Sequence, residues 1–220
     1  GLTGGIACGK SAVLKIFAEA GAATLDADVA AREVVAPGSA LLGELAGLFG
    51  EGIIAPDGSL KRRALRAQVF ADTKARKRLE ALLHPAIAAR LNEELHNCHG
   101  PYAVVAVPLL IECGAQHCFH RVLVTDAKPS VQIKRLCLRD HIDEAAASSM
   151  LKSQVSAERR RREATDLICT DRLTLSELRA LVLKLHDKYC QIVNLAGVAV
   201  PDAHIRFSPE PHGAAERPHA

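Results

Sequence analysis

A chain of 220 residues, of which 49% are hydrophobic, is long enough to bury one good core and to carry a smaller appended lobe. Its net charge of +3 is too small to indicate nucleic-acid binding by itself. The seven cysteines form no C-x-x-C pair, which argues against a structural zinc site and favours a reducing compartment. No apolar run is long enough to span a bilayer. We expect a cytoplasmic protein without membrane or nucleic-acid partners, while an organelle stays open.

The first motif in the chain matches the pattern G-x-x-x-x-G-K-S/T in full, and it consists of Gly4, Gly5, Ile6, Ala7, Cys8, Gly9, Lys10 and Ser11. Backbone N–H groups of such a loop and of the helix that follows it point at phosphate. Lys10 would reach the β- and γ-phosphates, and the Ser11 hydroxyl would be a magnesium ligand. The motif predicts a bound phosphate chain with Mg²⁺. The alternative is a glycine-rich turn with a chance Lys-Ser.

The strand before this loop is predicted to be cut short. A phosphate-binding loop normally follows a buried central strand, yet only Gly1, Leu2 and Thr3 precede it here. The expectation is a fragment or a misplaced start, with a weakened anchor for the loop.

The next elements place two carboxylates at the end of a strand. Apolar residues at helical spacing predict a helix over 10–20, and 22–25 is a short apolar run typical of a buried strand. Asp26 and Asp28 follow that strand, and a helix is predicted from there to residue 35. Because ligands bind at the carboxyl ends of strands in open α/β sheets, both carboxylates are expected in the crevice of the phosphate loop.

The remaining chain alternates between helical and strand patterns. Residues 38–100 are predicted as helices only, with Ser59 as a helix N-cap and Pro85 in the first turn of a helix that restarts after His84. Further strands are predicted at 102–107, 121–125 and 166–169, and further helices from Pro129, at 143–152, at 156–163 and at 175–193. Strands separated by helices predict an α/β fold whose doubly wound parallel sheet has about five strands.

Several segments, taken together and in order, resemble the dephospho-coenzyme A kinase family. They are Leu-Thr-Gly-Gly-Ile-Ala-Cys-Gly-Lys-Ser at 2–11, Asp-Ala-Asp at 26–28 with Arg32, Asp-Gly-Ser-Leu-Lys-Arg-Arg-Ala-Leu at 57–65, Leu-Leu-His-Pro at 82–85 and Val-Pro-Leu-Leu-Ile-Glu at 107–112. The likeness runs to about residue 190. It implies transfer of the γ-phosphoryl group of ATP to the ribose 3′-hydroxyl of dephospho-CoA, the last step of coenzyme A synthesis.

The resemblance also implies a P-loop kinase-type fold with a helical substrate-binding insertion and a helical lid. The nucleotide-binding core would comprise residues 1–36, 101–139 and 164–193, the CoA-binding insertion 37–100 and the lid 140–163. The tail at 194–220 is rich in Pro, His and Gly without periodicity, so we expect it to be disordered.

For catalysis, the resemblance makes Asp28 the base that deprotonates the acceptor hydroxyl, with Lys10 and Arg139 as the catalytic cations. The alternative for Asp28 is a helix N-cap, which Asp favours in any case. Asp26 would lie nearer the metal and the acceptor, or it would be the structural cap.

Three arginines are candidates for the phosphates of ATP. Arg135 and Arg139 lie four residues apart on one helix face, and Arg139 matches a lid arginine of the family. Arg160 stands six residues after Gln154, as in the family pattern. The alternative for each is a solvated basic face.

The resemblance also suggests acceptor-binding residues, namely Thr3, Arg62, His84, Pro108 and Leu109. Two positions depart from the family. Ala12 stands where the family usually has a second hydroxyl after Ser11, and Thr170 stands near a position where an asparagine close to the adenine is usual. Two further readings stay open: another P-loop small-molecule kinase, and a truncated ATP-binding homologue without catalysis.

Overall fold

One parallel sheet organises the computed structural model, which describes residues 1–196 and 204–207. Its five strands follow the order β2-β3-β1-β4-β5 and comprise β1 (Leu2–Gly4), β2 (Ala23–Asp26), β3 (Ala103–Ala106), β4 (Leu123–Asp126) and β5 (Asp166–Cys169). All four pairings are parallel, so the predicted five-stranded α/β fold is confirmed. The three residues of β1 form the centre of the sheet.

Helices connect the strands and cover the sheet. They are α1 (Lys10–Glu19), α2 (Ala27–Glu33), α3 (Ala40–Phe49), α4 (Arg62–Ala71), α5 (Thr73–Asn97), α6 (Pro129–Asp140), α7 (Glu144–Lys152), α8 (Ala157–Arg162) and α9 (Leu175–Ala196). Short 3-10 helices occupy Glu51–Ile53 and Ala115–Cys118. Over the described ranges, no helix has both the length and the apolar character needed to cross a membrane.

Each face of the sheet has its own core. One cluster includes Val13 and Phe17 of α1 with Val182 of α9, and the other includes Val105 of β3 with Leu91 of α5. Burial on both faces explains why the strands read as continuous apolar runs. A third cluster, built mainly from α3, α4 and α5, gives the insertion between β2 and β3 a core of its own.

The predicted restart of a helix at Pro85 is wrong, because α5 runs unbroken through that residue. Proline lacks the N–H that would bond the carbonyl four residues earlier, and it normally kinks a helix. Here Leu83, Ile87 and Leu91 all pack into the same core cluster, at a spacing that continues across the proline. Packing of this apolar face offsets the local cost. The predicted cap at Ser59 is also wrong, since α4 begins only at Arg62 and Ser59 bonds Asp57 instead (Oγ to Oδ1, 2.7 Å).

Most of the tail that was predicted to be disordered, 197–203 and 208–220, lies outside the described residues. The remainder is ordered, so that part of the prediction is wrong. Helix α9 continues to Ala196, and Ile205 is 1% exposed. The side chain of Asn92 bonds the backbone of Ile205 twice, accepting from its N–H at 2.9 Å and donating to its carbonyl at 3.2 Å.

Candidate active site

The phosphate loop leaves the central strand at Gly4, whose φ of 152° lies in the region that favours glycine. Gly4 pairs with Thr125 across β1 and β4. A Cβ atom at Gly4 would lie 2.2 Å from the carbonyl oxygen of Thr125. Close approach of two backbones therefore demands glycine here, and it sets the loop at the carboxyl end of the sheet.

The loop ends in a set of amides that face no protein acceptor. Gly9, with a φ of 87°, is the N-cap of α1 and makes no side-chain cap bond. In the described part of the chain, the N–H groups of Gly9, Lys10 and Ser11 have no hydrogen-bond acceptor. Together with the N-terminus of α1 they form a cradle for an anion.

Lys10 folds back over this cradle. Its Nζ donates to the carbonyl oxygens of Gly4 at 2.8 Å and Gly5 at 3.1 Å. Burial lowers the pKa of Lys10 and the neighbouring cation of Arg160 lowers it further, while Asp28 and Glu112 raise it. Lys10 thus contacts the loop directly and is influenced by the charges of a carboxylate after β2 and another after β3.

Cys8 in the loop and Ala12 in helix α1 are both packed within the protein. Cys8 is fully buried, and burial raises the pKa of its thiol, so it stays neutral at physiological pH. Ala12 packs, half-buried, against the core cluster of α1 and α9. A hydroxyl at that position would lie on the core side of the helix, which accounts for the apolar residue.

The two aspartates after β2 have different roles. Asp26 is the N-cap of α2, and its Oδ1 accepts the backbone N–H of Asp28 at 2.8 Å. The alternative in which Asp28 is the cap is wrong, because Asp28 lies in the first turn. The carboxylate of Asp28 is therefore not used to cap α2. Burial raises the pKa of Asp28 and Asp26 raises it further, while Arg32, Lys10 and Arg62 lower it.

The insertion brings positive charge to the same place. Arg62, the first residue of α4, has a pKa lowered by burial and by Arg32, and raised by Asp28. These mutual effects place Arg62, Arg32 and Asp28 in one electrostatic neighbourhood, with Lys10 on the loop side.

The other predicted acceptor residues divide into two groups. Thr3 is fully buried, and its hydroxyl donates to the carbonyl of Pro108 at 3.2 Å, so β1 and the end of β3 are tied together. Leu109 follows with 44% of its surface exposed. His84 lies on α5, where its Nε2 is 4.0 Å from Cys113 Sγ and its ring centre is 5.5 Å from that of Phe207.

Two candidate ATP-binding arginines lie on α6 and have different partners. Arg135 donates to the carbonyl of Ala7 at 3.1 Å, to Thr170 Oγ1 at 2.9 Å and to the Thr170 carbonyl at 2.7 Å. It thus braces the loop against the segment after β5. The side chain of Arg139 is 58% exposed and forms a bidentate ion pair with Asp140. Its Nε donates to Oδ1 at 2.7 Å and its Nη2 to Oδ2 at 2.8 Å.

Arg160 is a buried cation without an acidic partner. It is 6% exposed, and one arm of its guanidinium donates to the carbonyl of Val155. Within the described residues its Nε has no hydrogen-bond partner, and no carboxylate lies within ion-pair distance. Its Nη2 lies 2.9 Å from where a Cβ of Gly5 would be. A buried, unpaired guanidinium beside the loop is a site for an anion.

The comparison with known proteins agrees with this geometry. The family model for dephospho-CoA kinase matches residues 1–174. The chain belongs to the dephospho-CoA kinase family. A dephospho-CoA kinase of Aggregatibacter actinomycetemcomitans is 43% identical over 198 residues, which cover 89% of this chain and 96% of the relative. One of Yersinia pseudotuberculosis is 41% identical over 205 residues, covering 92% and 97%.

Solved structures give the same result. A protein of Thermus thermophilus superimposes with a TM-score of 0.74 at 32% identity, covering 84% of this chain and 95% of its own. The dephospho-CoA kinase of Campylobacter jejuni superimposes with a TM-score of 0.64 at 26% identity, covering 86% and 96%. A shikimate kinase of Bacteroides thetaiotaomicron shares the fold, with a TM-score of 0.51 at 14% identity, covering 85% and 95%.

The residues of this family member fit a magnesium ion held mainly by nucleotide and water. Ser11 is exposed at the start of α1, and its hydroxyl has no partner in the described part of the chain. Clusters of three or more His, Cys, Asp or Glu are absent from the described residues. Magnesium keeps several waters and commonly uses one or two protein ligands besides phosphate oxygens, so Ser11 suffices.

Two further contacts of the loop were not found from the sequence. Gln132 of α6 donates to the carbonyl of Ile6 at 2.7 Å, and Ile6 N–H donates to Gln154 Oε1 at 2.9 Å. The spacing of Gln132 carries no signal of this contact, because it depends on how α6 crosses the loop. For Gln154, the only indication in the sequence is the family pattern in which this glutamine precedes Arg160 by six residues.

Proposed function

We propose that this chain transfers the γ-phosphoryl group of ATP to the ribose 3′-hydroxyl of dephospho-CoA, giving coenzyme A. The observation that carries the proposal is that the phosphate cradle and Asp28 follow the carboxyl ends of β1 and β2, two parallel strands with only β3 between them. In agreement with this placement, Lys10 and Asp28 each affect the pKa of the other. A protein that only binds ATP has no need of a free carboxylate there.

The nucleotide phosphates bind to the amides at the start of α1. Lys10 leaves the carbonyls of Gly4 and Gly5 and reaches the β- and γ-phosphates. Arg160 supplies a buried positive charge beside the loop, and an ATP phosphate would be the counter-ion of this guanidinium. Arg135 acts at the loop through the carbonyl of Ala7.

Ser11 would hold Mg²⁺, which would supply positive charge to offset the negative charge that develops during transfer. The protein's own contribution is to position the groups and to place positive charge around the transferring oxygens. Lys10, Arg160 and, after it leaves Asp140, Arg139 supply that charge.

Asp28 accepts the proton of the acceptor hydroxyl as the hydroxyl oxygen bonds to the γ-phosphorus, while the bond from that phosphorus to the β,γ-bridging oxygen breaks and ADP leaves. A carboxylate whose pKa is raised holds that proton better than an ordinary aspartate does, which favours general-base action. Asp26 keeps the first turn of α2 in place and so fixes where Asp28 lies.

The insertion at 37–100 binds the acceptor. Arg62 supplies charge for its diphosphate, with His84 further along the same lobe, while Pro108 and Leu109 line the pocket at the end of β3 and Thr3 supports them. Residues 140–163 form a lid that excludes water from the phosphoryl group, which otherwise is lost to hydrolysis. The cytoplasm is the proposed location.

The deciding experiment measures ADP release from Mg-ATP with and without dephospho-CoA, together with the mass of the product. Release that depends on dephospho-CoA, with a product heavier by one phosphoryl group, is expected. Turnover with a different hydroxyl acceptor would instead indicate another P-loop small-molecule kinase. Bound ATP with no turnover on any acceptor would indicate a binding protein without catalysis.

A further inference from the structure

Ile6, in the middle of the phosphate loop, is held by two glutamines from different parts of the chain. Its N–H donates to Gln154 Oε1 at 2.9 Å, and its carbonyl accepts from Gln132 Nε2 at 2.7 Å. Both backbone polar groups of one loop residue are therefore satisfied by side chains. No other pair of side chains in the described residues holds both polar groups of one phosphate-loop residue.

Each glutamine is itself held in place. Gln132 is 4% exposed on α6, one helical turn from the fully buried Leu136. Gln154 follows α7, and its own N–H donates to the carbonyl of Leu151 at 3.2 Å. A buried amide that makes a short bond to a backbone carbonyl cannot swing to solvent without leaving that carbonyl unpaired.

Val155, which follows Gln154, is hydrogen-bonded to two further parts of the chain. Val155 N–H donates to Glu112 Oε1 at 3.3 Å, and the Val155 carbonyl accepts from Arg160. Residues 154 and 155 thus join the phosphate loop, the segment after β3 and helix α8. A movement of α7 and α8 away from the sheet has to break the bond to Ile6 or carry Ile6 along.

We propose that Gln132 and Gln154 are positioning residues that set the shape of the phosphate loop through the Ile6 peptide, and that Gln154 makes this shape depend on the position of the lid. The inference rests on the proposed function, in which the loop holds ATP. Neither glutamine touches the reacting atoms. They fix the two peptide groups that flank the Cα atom of Ile6, and the free amides at the start of α1 are preorganised as a result.

The test compares Gln132→Met and Gln154→Met, which keep side-chain length and remove the hydrogen bond, with Gln191→Met as the matched control. Gln191 is exposed on α9, away from the loop. A further variant, Gln154→Glu, keeps an oxygen that accepts the Ile6 N–H. Thermal unfolding of each purified chain shows which variants are folded.

The first readout is hydrogen exchange of the Ile6 amide in the chain without nucleotide. Exchange is expected to speed up by roughly tenfold or more in Gln154→Met, because a protected N–H becomes free. It is expected to stay near the original rate in Gln154→Glu and Gln191→Met. A side chain that only fills space would leave the exchange rate of Ile6 unchanged in Gln154→Met, since methionine fills the site as well as glutamine does.

The second readout is the dissociation constant for Mg-ATP, which is expected to rise roughly three- to tenfold in each Met variant. The double variant should lose less than the product of the two single effects, because both bonds hold the same residue, Ile6. Ile6 exchange equal in Gln154→Met and Gln191→Met, or fully multiplicative effects on binding, would overturn the inference. Absence of transfer to dephospho-CoA would refute the proposed function alone, since both readouts are made without the acceptor.

Discussion

Asp26 accepts the backbone N–H of Asp28 at 2.8 Å, so two carboxylates separated by a single alanine do different work. One carboxylate satisfies an orphan amide at the start of α2. The other is released from that task and lies near Lys10 and Arg62. In the Asp-x-Asp pattern, Asp26 is thus a structural residue that positions Asp28, the proposed base.

Asp28→Asn should therefore reduce turnover and spare nucleotide binding. Asparagine keeps the size of the side chain and cannot accept the hydroxyl proton, so kcat is expected to fall by about 10² to 10⁴. The dissociation constant for Mg-ATP, measured by calorimetry, should stay within about twofold, since no phosphate contact is lost. Equal loss of binding and turnover would show that Asp28 acts on ATP and is not the base.

The pH dependence of kcat/KM follows from the raised pKa of Asp28. The base has to be ionised, so kcat/KM should fall as the pH drops through a value above that of an ordinary aspartate. Asp26→Asn removes a negative neighbour, which lowers the pKa of Asp28 and moves this acid limb to lower pH. An acid limb that is unchanged in Asp26→Asn would contradict the assignment of that limb to Asp28.

Sequence reasoning found the elements whose signals are local. The motif at 4–11 and the apolar run before Asp26 are each recognisable from their own residues. The structure places both at the carboxyl edge of one sheet. Helix α6 starts at Pro129 as predicted, because proline is favoured in a first helical turn.

What sequence reasoning missed depends on contacts between distant segments. The local signal at Pro85 predicted a break, yet packing of Leu83, Ile87 and Leu91 on one face keeps α5 continuous. The order of Ile205 depends on Asn92, 113 residues away in sequence. No spacing rule reveals such a partner, because it is set by how the elements pack.

Arg160→Met should weaken ATP binding without a comparable loss of stability. Among the described residues this buried guanidinium has no acidic partner, and such a group contributes little to stability, so methionine costs little there. We expect a dissociation constant for Mg-ATP about ten- to a hundredfold higher, with a free energy of unfolding within about 1 kcal/mol of the original. Arg159→Met, at the exposed neighbouring position, is the control and should change neither. A large loss of stability with unchanged ATP affinity would make Arg160 a structural residue.

Asp166 at the start of β5 should make stability depend on pH in the acid range. Burial would raise its pKa, but bonds from Arg121 (2.8 Å), Lys188 (2.7 Å) and Tyr189 (2.9 Å) lower it to about 2. The stabilisation is fully present above the unfolded value near 4 and disappears as the pH falls towards 2. Asp166→Asn is expected to cost about 2 kcal/mol at pH 7.

Denaturant unfolding at pH 7 and at pH 3 checks this expectation. The difference between Asp166→Asn and the original chain should shrink at the lower pH, while Asp187→Asn, at an exposed position on α9, should show no such dependence. A difference that is the same at both values would mean that the carboxylate charge is not what stabilises β5.

Asp140→Ala should strengthen ATP binding, because Arg139 is held by its neighbour and has to leave it to meet phosphate. Asp140 raises the pKa of Arg139 through this bond, and both residues lie in the last turn of α6. The pair is exposed to solvent and therefore weak, so the gain in affinity is expected to be only about two- to fivefold. The same substitution in an Arg139→Met background should have no effect on affinity, which calorimetry with Mg-ATP measures. A gain that persists without Arg139 would assign it to the removed negative charge alone, and a loss would mean that Asp140 holds Arg139 in the orientation that binds ATP.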